Sequence, residues 1–205
     1  MYLLSVWTTA ILMMMGSFWY CYQILKGVVS PPPATFIILS FTFPFGFYMY
    51  AQSPHWSFAT NIGLTSAVLS VWTVGSVLIT KLLLQKKLHL EVNVFQRWVI
   101  FIALVVLIFW FVTKDQLTSY VILQVSALLS YIPVYKNLYK ADKNKDSLVF
   151  WSTLFLSTCV AAYAAYEKND MQSWIYIGRA VPSSLGVVIL MLKIDLRNKA
   201  LRSLQ

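Results

Sequence analysis

Between Lys26 and Lys81 the chain has no lysine, arginine, aspartate or glutamate. Charge is scarce throughout: only 11% of the 205 residues are charged, against about a quarter in a soluble domain. Cysteine is scarcer still. Cys21 and Cys159 lie in apolar runs, form no CxxC pair and have no histidine at ligand spacing, which argues against a disulfide, a redox pair or a metal site. No HxxxH, HExxH, acidic metal motif or serine–histidine pairing occurs, so catalytic residues, metal ions and cofactors are all expected to be absent.

What is present is apolar surface. Hydrophobic residues make up 59% of the chain, and the mean hydropathy is +0.69. About 20 apolar residues suffice to cross a bilayer as a helix, so the uncharged stretch after Lys26 alone accommodates two spans. The opening segment lacks a basic start and a small-x-small cleavage site and runs apolar through Tyr22, which reads as a first helix and not a cleaved signal peptide. The net charge of +9 comes without a base-stacking platform or reading motif, so nucleic acid is not an expected partner. Membrane lipids are.

Apolar runs and their polar breaks predict an all-α integral membrane protein of seven spans, at 3–25, 34–52, 57–80, 94–113, 118–138, 148–166 and 173–193. Ser30-Pro31-Pro32-Pro33 and Gln52-Ser53-Pro54-His55 cannot continue a helix. Every second loop is basic: Lys26; Lys81, Lys86, Lys87 and Arg97; Lys136, Lys140, Lys143 and Lys145; then Lys193, Arg197, Lys199 and Arg202. The positive-inside rule then puts the N-terminus outside and the C-terminus inside, which requires an odd number of spans.

The spans repeat. Ser17, Tyr22 and Leu25 in the first match Ser130, Tyr135 and Leu138 in the fifth at one offset; Trp56, Asn61, Thr65 and Ser66 match Trp174, Arg179, Ser183 and Ser184 at a second offset five residues longer. A duplicated three-helix unit follows, with the fourth span, apolar all round, as the inversion linker between two parallel copies. The expected units are residues 1–80, a link and linker helix over 81–117, and residues 118–205.

In this three-one-three order, SYIPVYKNLYKADKNKDSLVFWS carries a proline near the inner end of a repeat's first helix, a basic loop, and a serine opening the next helix. The chain thereby resembles the SWEET and PQ-loop transporter superfamily, with Pro133 at the motif proline, Val134 in place of its glutamine, and Tyr20-Cys21 at the dipeptide in the first half. The resemblance implies alternating access by two triple-helix bundles. It also implies a substrate-site asparagine on the third helix of each repeat; Asn61 matches the first, and Arg179 departs from the second.

Arg179 is the sharpest single signal, because a charge inside a bilayer must face protein, water or the interface. Either it snorkels or braces a neighbouring helix, or it faces a central cavity with Asn61 and binds an anionic or strongly hydrogen-bonding ligand. Thr65, Ser183 and Ser184 extend a polar path or serve as small packing residues. Trp56 and Trp174 are interfacial anchors or stack on ligand at an outer gate. Tyr22 and Tyr135 are candidates for an inner gate, and Pro44, Pro133 and Pro182 for hinges. Gln124, Ser126, Trp151 and Ser152 are weaker pocket candidates. With Asp142 and Asp146 in a loop, His55 and His89 in breaks, and no acid in the body of a span, a proton relay has no support.

The expected function is facilitative transport of a small polar metabolite: a sugar, a vitamin precursor or an organic anion. A noncatalytic accessory or receptor-like protein is the second reading, and a membrane-embedded lipid enzyme ranks behind it. Homo-oligomerisation through a lipid-facing surface stays open.

Overall fold

The computed structural model describes residues 1–31, 33–53, 56–85, 94–144 and 146–202. Pro32, Pro54, His55, Lys86, Lys87, His89 and Lys145 lie outside the described residues. The helices among them are α1 (Tyr2–Lys26), α2 (Pro33–Ala51), α3 (Ile62–Leu84), α4 (Val94–Thr113), α5 (Gln116–Leu129), α6 (Ile132–Lys140), α7 (Leu148–Lys168) and α8 (Met171–Arg202). Among the described residues, five stretches are long and apolar enough to cross a membrane: Tyr2–Lys26, Ile62–Leu84, Gln116–Lys140, Leu148–Lys168 and Met171–Leu201. Shorter apolar stretches, Ile38–Ala51 and Leu104–Thr113, lie in α2 and α4. The chain is a multi-pass integral membrane protein.

Three boundaries differ from the sequence expectation, each for a local reason. The fifth span consists of two helices, because Pro133 in the first turn of α6 has no N–H to donate to the Leu129 carbonyl one turn back. The chain turns there on a bond from Tyr131 N–H to the Leu128 carbonyl at 3.1 Å. α3 starts late, at Ile62, with Asn61 as its N-cap. α8 runs on past Lys193, held by bonds from Arg197 to Asp142 at 3.2 Å and from Asn198 to the Asp142 carbonyl at 2.9 Å.

The helices close a circuit. α1 packs between α3 and α7, α2 between α3 and α5, and α8 between α7 and the α5–α6 pair. α4 stands outside, touching only α2 and α5 appreciably, and exposes Trp98, Phe101, Leu104, Ile108 and Val112. Such a face suits lipid.

Lipid tails are as apolar as leucine, so close packing and interhelical hydrogen bonds must hold the circuit together. At the α1–α7 contact Ser5 donates to the Val160 carbonyl at 2.6 Å and Thr9 to the Ser157 carbonyl at 3.3 Å. Gly16 faces Thr153 so closely that a Cβ would lie 2.0 Å from its Oγ1. On the α1–α3 seam, Ser17 donates to Ser70 at 2.7 Å. Gly63 of α3 meets the Tyr176 ring in the same way, with 2.8 Å to Cε1.

Lys26, Lys81, Lys140 and Arg197 collect at one end, the basic end; Tyr2, Asp115, Lys168 and Asp170 mark the other, the distal end.

Candidate functional site

Arg179 sits in the third turn of α8, on the stripe that also buries Tyr176, Ala180, Ser183 and Val187. It is only 6% exposed, so it does not snorkel to a surface. Its Nε donates to Gln124 Oε1 of α5 at 3.2 Å. The guanidinium stands 5.1 Å from the Phe43 ring centroid of α2 and 4.9 Å from that of Tyr176. Tyr120 and Tyr131 are close enough to feel its charge.

The energetics of this arrangement are incomplete. A charge at mid-bilayer costs about 2.5–3.5 kcal/mol on insertion scales, and a desolvated cation–π contact returns up to about 2 kcal/mol. Two rings and one amide therefore make the residue tolerable. They do not neutralise it: the one ion pair among the described residues is Arg197–Asp142, and Arg179 Nη2 is buried with no hydrogen-bond partner.

Asn61 joins the cluster indirectly. Its Oδ1 caps α3 by accepting from Leu64 N–H at 3.3 Å, and its Nδ2 donates to the Tyr120 hydroxyl at 3.5 Å. Tyr120 and Gln124, four residues apart, share one face of α5, so the Asn61–Tyr120 and Gln124–Arg179 pairs stand one turn apart on it.

Other expected site residues lie elsewhere or are engaged. Thr65 turns its hydroxyl onto the carbonyls of Asn61 at 3.0 Å and Phe58 at 3.2 Å. Ser183 and Ser184 donate to the carbonyls four residues back, Arg179 and Ala180, both at 2.7 Å. Trp174 is exposed in the first turn of α8, whereas Trp56 is exposed in the distal connection before α3 and not at a helix end; both positions suit interfacial anchors. Tyr22 is exposed beside Lys26, whereas Tyr135 reaches across to the Ser183 carbonyl at 2.6 Å. Pro44 lies within α2 and Pro182 within α8. Of the weaker candidates, Gln124 contacts Arg179, while Ser126 bonds to its own helix at Ile122.

Space lies at both ends. A distal vestibule of about 800 Å³ is lined by Ser57, Thr60, Gln116, Lys168, Asp170 and Gln172. A basic-end vestibule of about 560 Å³ is lined by Ser30, Asn137, Lys140, Asp142, Lys143 and Asp146. Between them a cavity of about 30 Å³, room for little more than a water, is bounded by Thr35, Phe43, Ser70, Tyr131, Asp146 and Trp151. Asp146 thus borders both the small cavity and the basic vestibule. It is no ordinary loop acid: Tyr20 donates to it at 2.5 Å and Ser147 N–H at 2.8 Å. Burial raises its carboxyl above the ordinary 3.8, against the pull of those two bonds.

Sequence reasoning missed Tyr120, Tyr131, Tyr176 and Phe43. The signal for two of them was helical spacing, since Tyr176 precedes Arg179 by three residues and Tyr120 precedes Gln124 by four. Groups of three or more histidine, cysteine or acidic residues able to hold a metal are absent among the described residues. No protein-family model, curated protein or solved structure matches the chain.

Proposed function

We propose that this membrane protein is a facilitative carrier for a small polar metabolite, working by alternating access between two helix triplets. The observation that carries the reading is Arg179, a buried cation with an unpaired Nη2 and no acidic partner among the described residues, enclosed by α2, α5 and α8. A purely structural arginine has its donors satisfied; a ligand site keeps some in reserve.

The packing order supports the duplicated three-one-three plan and with it the likeness to the SWEET and PQ-loop transporters. Within α1, α2 and α3, the third helix lies between the other two; within the α5–α6 pair, α7 and α8, the third helix, α8, again lies in the middle. α4 stands apart from this pattern, as an inversion linker does. In this reading the triplets rock about the Arg179 cluster, and the distal and basic vestibules are the two mouths. No covalent step is required, which keeps the reading non-enzymatic.

Counterflow in sealed proteoliposomes tests it. Vesicles preloaded with one solute from a panel of sugars, vitamin precursors and organic anions take up that solute's labelled form faster than protein-free vesicles. Absence of stimulated exchange for every solute overturns the carrier reading in favour of an accessory protein.

A further inference from the structure

We infer that the ligand of the Arg179 cluster carries a carboxylate, ordinarily on a planar or aromatic body, and that it binds as the missing counter-ion of the guanidinium. This inference rests on the carrier reading for its physiological meaning, but its chemistry is argued from the cluster alone.

The first ground is charge. Arg179 is enclosed by apolar and aromatic side chains, and among the described residues it forms no ion pair. An enclosed charge without a counter-charge is the costliest state of an ion pair, so a site of this kind favours an anion over a neutral solute of the same shape.

The second ground is the balance of donors and acceptors. Both side-chain amide oxygens of the cluster are spent: Asn61 Oδ1 on the start of α3 and Gln124 Oε1 on Arg179 Nε. What remains can donate. Arg179 Nη2 has no partner, Gln124 Nε2 makes no hydrogen bond among the described residues, and the Tyr120 hydroxyl, which accepts from Asn61, keeps its own hydrogen. A sugar hydroxyl must give a hydrogen bond as well as take one, whereas a carboxylate only takes. Guanidinium and carboxylate are also matched in plane and charge.

The third ground is the enclosure. Phe43 and Tyr176 face the guanidinium at 5.1 and 4.9 Å, and Phe43 and Tyr131 also line the neighbouring cavity of about 30 Å³. Aromatic walls stack on a flat body and exclude the water that would compete for the charge.

Thermal unfolding of the purified protein in detergent decides between charge and shape. The probes are carboxylates paired with neutral amides of equal size: benzoate with benzamide, nicotinate with nicotinamide, acetate with acetamide. The expected result is that at least one carboxylate raises the melting temperature with a Kd tenfold or more below that of its amide. Arg179→Gln removes the preference, and Arg179→Lys, which keeps the charge but not the planar donors, keeps part of it. Equal binding of acid and amide, an undiminished preference in a folded Arg179→Gln protein, or no carboxylate binding to the parent protein overturns the inference. Exchange of a neutral solute without carboxylate binding refutes this inference alone; carboxylate binding without exchange refutes the carrier reading alone.

Discussion

Tyr20, in the basic half of α1, donates a 2.5 Å hydrogen bond to Asp146, in the loop before α7. The bond joins the first helix of the chain to the end of the basic loop between α6 and α7. Phe150 stacks on the Tyr20 ring, with centroids 4.3 Å apart, and closes the pair from the side of α7. A carboxyl so placed titrates as part of the fold. Burial raises its value above the ordinary 3.8, so the folded state holds this proton to higher pH than the unfolded chain does. The stabilising contribution is therefore complete below the unfolded value and is lost as pH rises through the folded one. Asp146→Asn mimics the protonated form at every pH. The expected outcome is a variant whose melting temperature, relative to the parent, rises from about pH 4 to about pH 7, and a difference that shrinks with rising pH would refute it.

The same pair has an energetic signature. Tyr20→Phe removes a donor from a largely enclosed carboxylate, and a bond to a charged group contributes about 1.5–3 kcal/mol. Near neutral pH the single change is expected to cost that much in reversible unfolding. In combination with Asp146→Asn the loss is expected to be smaller, because the carboxylate that needed the bond is gone. Fully additive changes in the double-mutant cycle would show that the two residues act independently.

Gly16 tests how closely α1 and α7 must approach. A methyl group there would overlap Thr153, with 2.0 Å to Oγ1 and 3.0 Å to Cβ. Overpacking of this kind costs about 1–3 kcal/mol. Gly16→Ala is expected to destabilise by that amount, and addition of Thr153→Ala to recover part of the loss by removing the Oγ1 overlap. No loss for Gly16→Ala would mean that the interface gives way freely.

These close contacts show where the sequence was legible. Long uncharged runs mark helices because a bilayer leaves the backbone no other way to satisfy its hydrogen bonds, so each apolar segment is largely helical, while α3 begins at Ile62, the fifth span divides and α8 runs on to Arg202. Pro133 was legible as a place where the fifth span yields, because proline lacks an N–H, but the apolar run itself reads as one helix over 118–138; the special status of Arg179 was legible as a charge in an apolar run. Its surroundings were not. Phe43 and Tyr176 are ordinary apolar-run residues until α2 and α8 pack together, and nothing local distinguishes them from the exposed Phe41 or Trp174. Asp146 misled in the opposite direction. Its neighbours read as a solvated basic loop, and Asp142 obeys that reading, whereas Asp146 is drawn in by a tyrosine more than a hundred residues away.

Tyr22 and Tyr135, which the proposed repeat aligns, have unlike surroundings. Tyr22 is 52% exposed and its nearest charged neighbour is Lys26, while Tyr135 donates to the Ser183 carbonyl at 2.6 Å and crowds Gly186. Tyr22→Phe is expected to change stability by less than about 0.5 kcal/mol, the ordinary scale for an exposed site. Tyr135→Phe is expected to cost about 0.5–1.5 kcal/mol, the net contribution of one hydrogen bond. Equal effects in chemical denaturation would restore the symmetry that the repeat alone implies.

Pro182 stands one turn beyond Gly178, whose carbonyl it leaves without a helical N–H. Ser183 and Ser184 turn their hydroxyls onto the Arg179 and Ala180 carbonyls beside that gap, so this stretch of α8 is held by side chains as well as by its backbone ladder. A methyl group at Gly178 would meet nothing within 4 Å. Two substitutions can therefore stiffen α8 without repacking it: Pro182→Ala restores the missing donor, and Gly178→Ala removes about 0.5–1 kcal/mol of backbone freedom. Both are expected to hold or raise the melting temperature. If α8 bends here during alternating access, both also slow solute exchange in proteoliposomes while leaving ligand affinity at the Arg179 cluster unchanged, because the added groups lie in the backbone ladder and in open space. Stiffened proteins that exchange at the parent rate would move the hinge elsewhere, and the break before Pro133, where the chain already divides α5 from α6, would be the next position to stiffen.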